Sequence, residues 1–106
     1  MNVKYLRDYA HCRAGDKGNT SNIAVIVYRY DNYEMIKEIL TPQSVKKFFK
    51  DRIKGKVERY ELPQINALNF VCHDALNGGV TRSLSIDKHG KTFGSGLLMF
   101  PIEKNN

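Results

Sequence analysis

Residues 11–22, His-Cys-Arg-Ala-Gly-Asp-Lys-Gly-Asn-Thr-Ser-Asn, carry the densest chemistry in the chain. The fixed cations Arg13 and Lys17 and the carboxylate of Asp16 share this segment with Gly15, Gly18 and the Asn22 amide. Glycine takes positive φ at no steric cost, so the backbone N–H groups near Gly15 and Gly18 can converge on one point. Cations beside converging N–H groups are suited to holding a carboxylate or a phosphate. The segment is not a P-loop, which carries its lysine after the second glycine and runs into a helix. Here Lys17 precedes Gly18, and the residues from Asn22 onward read as a strand.

A second polar array lies further on. Asn66, Asn69, His73 and Asn77 share one stripe of a helix expected over 66–76, on the face away from Leu68 and Val71. Amides are poor helix formers, so this clustering reads as a hydrogen-bonding ledge or as an exposed face with caps at its ends. Free N–H groups at the start of that helix would add the positive field that the glycine segment lacks. The two arrays together predict one anion site built from Arg13, Gly15, Asp16, Lys17, Gly18, Asn22, Asn69 and His73. The alternative is mutual satisfaction, with Asp16 paired to Arg13 or Lys17 and Asn69 capping the loop.

Metal and nucleophile chemistry find less support. In His11-Cys12 and Cys72-His73 the members are adjacent, so they diverge on either a strand or a helix, and no metal or other cofactor is expected. A Cys12–His73 nucleophile pair lacks any motif that would bring the two together. Cys72 reads as core. Asp16 and Glu61, beside glycine and proline turns, are the candidate acid or base; no catalytic residue is assigned.

The elements that must position these groups emerge from periodicity. Residues 3–10 read as a strand, and 22–30 as a central strand apolar on both faces. A short helix is expected over 33–40. A second, over 42–53, starts at Thr41-Pro42 and carries the stripe Val45, Phe48, Phe49 and Ile53. Residues 56–62 form a strand with Tyr60 and Leu62 inward, stopped by Pro63. The helix over 66–76 closes at Asn77-Gly78-Gly79. Strands over 81–87 and 92–102 flank a turn at Lys88-His89-Gly90-Lys91, the second bulged at Gly94 and Gly96. The fold class is α+β: a two-layer sandwich with helices on one face of a mostly antiparallel sheet. The open face must be solvated or covered by another copy, so a homo-oligomer, most simply a C2 dimer, is expected.

The 106 residues fit a single domain, 1–106. The net charge of +6 is uneven: segment 46–59 holds seven basic residues against two acids. Phe48 and Phe49 there fit a core rather than a stacking platform, so nucleic-acid binding is not expected. The longest apolar run, 23–28, is far short of a membrane span, and the N-terminus lacks the apolar heart of a signal peptide. Two cysteines make no disulfide scaffold, and the expected setting is cytoplasmic with free thiols.

Arg13-Ala14-Gly15-Asp16-Lys17-Gly18 with Asn22-Ile23-Ala24-Val25-Ile26 resembles the small C-terminal domain of the acyclic terpene utilisation protein A (AtuA) family. So do Tyr60-Glu61-Leu62-Pro63, Ala67-Leu68-Asn69-Phe70-Val71 with His73, and Leu76-Asn77-Gly78-Gly79 with Ser83-Leu84, in matching order along nearly the whole chain. The resemblance implies a ferredoxin-like domain and a setting in acyl-CoA-dependent catabolism of branched or unsaturated acids. The family commonly has Ser where Ala14 stands and Asp where Asn19 stands, so this loop lacks a hydroxyl and a charge. The family's large N-terminal domain is missing from this sequence. That implies a separate subunit beside a large AtuA-type partner, or another role for a standalone copy.

Three functions from different classes fit these residues. One is an accessory subunit of an acyl-CoA-handling enzyme. The second is a homodimeric anion-binding protein or enzyme with its own site at the Arg13–Gly18 loop. The third is a nucleic-acid binder using 46–59, disfavoured by the core placement of Phe48 and Phe49.

Overall fold

The computed structural model describes residues 4–75 and 91–102. The expected strand over 81–87, the Asn77-Gly78-Gly79 cap and most of the turn at 88–91 lie outside them.

A four-stranded antiparallel sheet has the order β2-β3-β5-β4, built from β2 (Ala10–Lys17), β3 (Thr20–Val27), β4 (Val57–Leu62) and β5 (Ala67–Cys72). Helices α1 (Tyr33–Ile39) and α2 (Pro42–Phe49) connect β3 to β4. Those two strands run parallel with β5 between them, a split β-α-β unit. Helix α3 (Lys91–Leu97) packs on β2, and a two-stranded ribbon pairs β1 (Lys4–Tyr5) with β6 (Pro101–Ile102).

The core lies between the sheet and the helices. Ile23, Val25 and Val27 of β3 and Leu68, Phe70 and Cys72 of β5 meet Tyr33, Ile36, Val45, Phe49 and Leu97. Helix α2 begins as its residues require: Ser44 N–H donates to Thr41 Oγ1 and Thr41 N–H to Ser44 Oγ, both at 3.0 Å, with Pro42 in the first turn. The α+β sandwich and the elements over 33–40 and 56–62 are as expected.

Four expectations are corrected. The polar segment is not a loop: residues up to Lys17 are strand, and only Gly18-Asn19 turns, with Gly18 at φ +62°. The first strand is cut to Lys4–Tyr5, because Asp8 Oδ2 accepts from Tyr5 N–H at 2.8 Å in a 3-10 turn that buries Leu6. Residues 67–72 are strand, not helix. Pro63 opens a 3-10 turn and Asn66 takes the left-handed conformation (φ 57°, ψ 37°), so the chain doubles back and Ala67 pairs with Leu62.

The fourth correction concerns 92–102, most of which is helix α3 and its exit. A Cβ at Gly94 would sit 3.2 Å from Ala14 Cβ, and one at Gly96 3.4 Å from the Phe49 ring. The glycines therefore serve helix packing rather than a bulge.

Candidate functional site

No described element packs on the second face of the sheet. Register sets the composition of that face. Rows across β2, β3, β5 and β4 read His11–Ile26–Ala67–Leu62, Arg13–Ala24–Asn69–Tyr60 and Gly15–Asn22–Val71–Glu58. Side chains alternate along a strand, and the odd positions of β5 (67, 69, 71) lie opposite the core-facing Leu68, Phe70 and Cys72. Tyr28, Tyr60 and Leu62 are 61%, 51% and 41% exposed. Tyr60 and Leu62 do share a face, but it is this open one, not the core. The core side of β4 is instead charged: Arg59 donates to the Lys37 and Leu40 carbonyls at the end of α1 (2.7 and 2.9 Å), and Glu61 meets Lys37 at 3.7 Å. Strand β3 is thus buried on one face only.

Of the eight sequence-predicted residues, Arg13, Gly15, Lys17, Asn22 and Asn69 share the open face, and His73 stands just past the upper end of β5. Asp16 points the other way, in the row of Ser21 and Cys72, and Gly18 sits at the hairpin tip. Among the described residues none of Arg13, Asp16 and Lys17 forms an ion pair. Arg13 and Asn69 are two strands apart, about 10 Å between backbones, while Lys17 lies roughly 17 Å from Asn69 at the end of the hairpin. Asn66 is in the turn at the opposite end of β5 from His73, and it leads into a strand instead of opening a helix.

His73 is held firmly. Gly55 N–H donates to its carbonyl and its own N–H donates to the Lys56 carbonyl, both at 3.0 Å, while Ala75 N–H reaches Asn19 O in the hairpin turn at 2.7 Å. Its Nε2 lies 2.9 Å from Glu58 Oε1, and Lys56 Nζ lies 3.4 Å from Glu58 Oε2. The hydrogen bond from His73, then that from Lys56, holds the Glu58 carboxyl below its usual range. Glu58 escapes a reading of the sequence by motif, though the alternation Glu58, Tyr60, Leu62 carries the signal. His11 stacks on Tyr28 with centroids 5.6 Å apart.

Nucleophilic sulfur chemistry is absent from this face. Cys12 faces the core side, and burial pushes its thiol up to about 12; Cys72 is buried and pushed up to about 11. A Cys12–His73 pair is excluded by register, since Cys12 shares a row with Val25 and Leu68 on the opposite side of the sheet. Glu61 is committed to Lys37 and Arg59. Among the described residues no cluster of His, Cys, Asp or Glu is arranged to hold a metal ion, and no helix is long and apolar enough to cross a membrane.

The basic segment is partly spent on the fold. Lys46 Nζ donates to the Lys54 and Gly55 carbonyls, Lys56 pairs with Glu58, and Arg59 caps α1.

Comparison with curated proteins and with solved structures gave no match. The family model described as the AtuA ferredoxin-like domain matches residues 4–103, and the antiparallel sheet with helices on one face agrees with it. The chain belongs to the AtuA ferredoxin-like domain family.

Proposed function

We propose that this domain is a binding subunit for an anionic ligand, serving an acyl-CoA-handling enzyme as the partner of a large AtuA-type subunit in a cytoplasmic setting. The observation that carries the reading is register: Arg13, Asn22 and Asn69 share the one face that no described helix covers, with Arg13 free of any carboxylate partner among the described residues. Gly15, opposite Asn22, leaves room for a ligand to approach the strand backbone. Lys17 and His73 stand at the upper end, so an extended ligand bearing several anionic groups, such as an acyl-CoA, fits the spread better than one small ion. The commitment of Lys46, Lys56 and Arg59 to internal partners weighs against nucleic acid.

The test is calorimetric titration with coenzyme A and, separately, with inorganic phosphate. Arg13→Ala should weaken coenzyme A binding by about tenfold or more, the usual worth of a charge-assisted hydrogen bond, while the circular dichroism spectrum stays unchanged. Equal affinity in the variant would refute the reading.

A second reading, catalysis by this chain itself, has the Glu58–His73 pair in its favour, a carboxylate that orients an imidazole on the same face. Acetyl-CoA hydrolysis by the isolated chain, lost in His73→Gln, would support it; no turnover would dismiss it.

A further inference from the structure

We infer that a second copy of this chain docks on the open face, sheet against sheet, about a two-fold axis that runs along the strands. The inference does not rest on the ligand reading; the second copy covers Arg13, Asn22 and Asn69, so on this face the copy and the ligand exclude one another. Aromatic and aliphatic groups stand exposed there: Tyr28, Tyr60 and Leu62, beside the half-buried Ile26 and Val71. Four strands about 4.8 Å apart and up to eight residues long make a face on the order of 500 Å² in plan. With its side-chain relief, that approaches the ~800 Å² per partner of a standard interface.

The face is polarised in two directions, and this selects the axis. Along the strands, one end is apolar (Tyr28, Ile26, Ala67, Leu62) and the other polar (Lys17, Asn22, Glu58, His73). Across the strands, the β2 edge is cationic through Arg13 and Lys17, while the β4 edge offers the Tyr60 ring and a Glu58 carboxylate that His73 and Lys56 of its own chain already hold. A two-fold axis perpendicular to the strands would lay apolar ends on polar ends and β2 on β2, with Arg13 against its own copy. An axis along the strands lays like ends together and the β2 edge over the β4 edge. Arg13 then lies over Tyr60 of the second copy and beside its Glu58, with Gly15 leaving that carboxylate room. His11 lies over Leu62, and Ile26 over Ala67. Lys17 and Lys56 meet at the polar mouth, where water or an anion can separate them. Aligned packing of two sheets at roughly −30° accommodates this arrangement.

The experiment combines mass and cross-linking on the whole chain. Light scattering at tens of micromolar should give twice the 12.2 kDa chain mass, and Tyr60→Glu, at an exposed position that leaves the fold intact, should weaken the dimer by about tenfold or more. Under mild oxidation the Arg13→Cys/Tyr60→Cys double variant should form an interchain disulfide. Within one chain these positions are three strands apart, well beyond the ~7 Å that a disulfide spans. Arg13→Cys alone should stay uncross-linked. A monomeric wild type, cross-linking of Arg13→Cys alone, or no cross-link in the double variant would each overturn the inference.

Discussion

Gly55→Ala is the most economical perturbation of the turn that carries His73. A Cβ at residue 55 would lie 2.6 Å from the His73 carbonyl oxygen and 2.9 Å from its carbonyl carbon and its Cβ. These are backbone atoms or fixed to backbone, so no flexible side chain can swing aside. Restoring ordinary contact means moving the two segments apart by roughly 0.8 Å, since carbon–oxygen packing below about 3.4 Å is repulsive. The join is held by three hydrogen bonds: Gly55 N–H to His73 O (3.0 Å), His73 N–H to Lys56 O (3.0 Å) and Lys54 N–H to Asp74 O (3.1 Å). Such a shift breaks the first and strains the other two, at about 1 kcal/mol per bond lost. Overpacking strain adds about 1–3 kcal/mol. Against this, alanine restricts the unfolded chain and returns about 0.4–1 kcal/mol. The net loss is about 1–3 kcal/mol, and for a domain of this size the melting temperature should fall by roughly 5–20 °C. Thermal melts monitored by circular dichroism measure it, and the His73 imidazole resonances should move in the same variant as the Glu58 contact is displaced. A melting temperature equal to or above wild type would refute the close-approach argument.

Tyr33→Phe removes the buried hydrogen bond from Tyr33 Oη–H to the Ala67 carbonyl (2.9 Å), tying α1 to the start of β5; urea unfolding should show a loss of about 1–2 kcal/mol, and an unchanged midpoint would contradict it. Acid should weaken the fold through Glu58, whose folded carboxyl titrates below the ordinary 4.5 because of His73 and Lys56. Its contribution is fully present above 4.5 and is lost as pH falls through the depressed folded value. Glu58→Gln should therefore be less stable than wild type at neutral pH, with the gap closing in acid; a gap that is constant with pH would rule out this linkage.

Helix α2 is legible in the sequence because local signals agree: a Thr cap, a proline at the first turn and an apolar stripe at helical spacing. Strand β5 is not, because its apolar residues satisfy two periods. Leu68, Val71, Cys72 and Ala75 fit a helix, whereas Leu68, Phe70 and Cys72 fit a strand. The choice is made by hydrogen bonding on both sides, to β3 and β4, which no short window of sequence contains. For α3 the misleading residues are Gly94 and Gly96. Their low helix propensity is overridden because they let the helix sit against Ala14 and Phe49.

Parity explains which expected site residues share a face even though 67–72 is strand rather than helix. Positions four apart lie together on a helix and also on a strand, so Asn69 and His73 keep their common side under either reading. Positions three apart do not, which is why Asn66 drops out of the array once 67–72 is strand. The same rule sorts the first segment. Arg13, Gly15 and Lys17, all odd, face outward, while Asp16, between two of them, is turned to the side of the sheet that the helices cover. A loop would have let Asp16 fold back onto Arg13 or Lys17. A strand forbids it, and that backbone constraint leaves both cations without a carboxylate partner from Asp16. The charge is available for a ligand or a second copy because β2 is a strand, not because the sequence lacks a carboxylate to neutralise it.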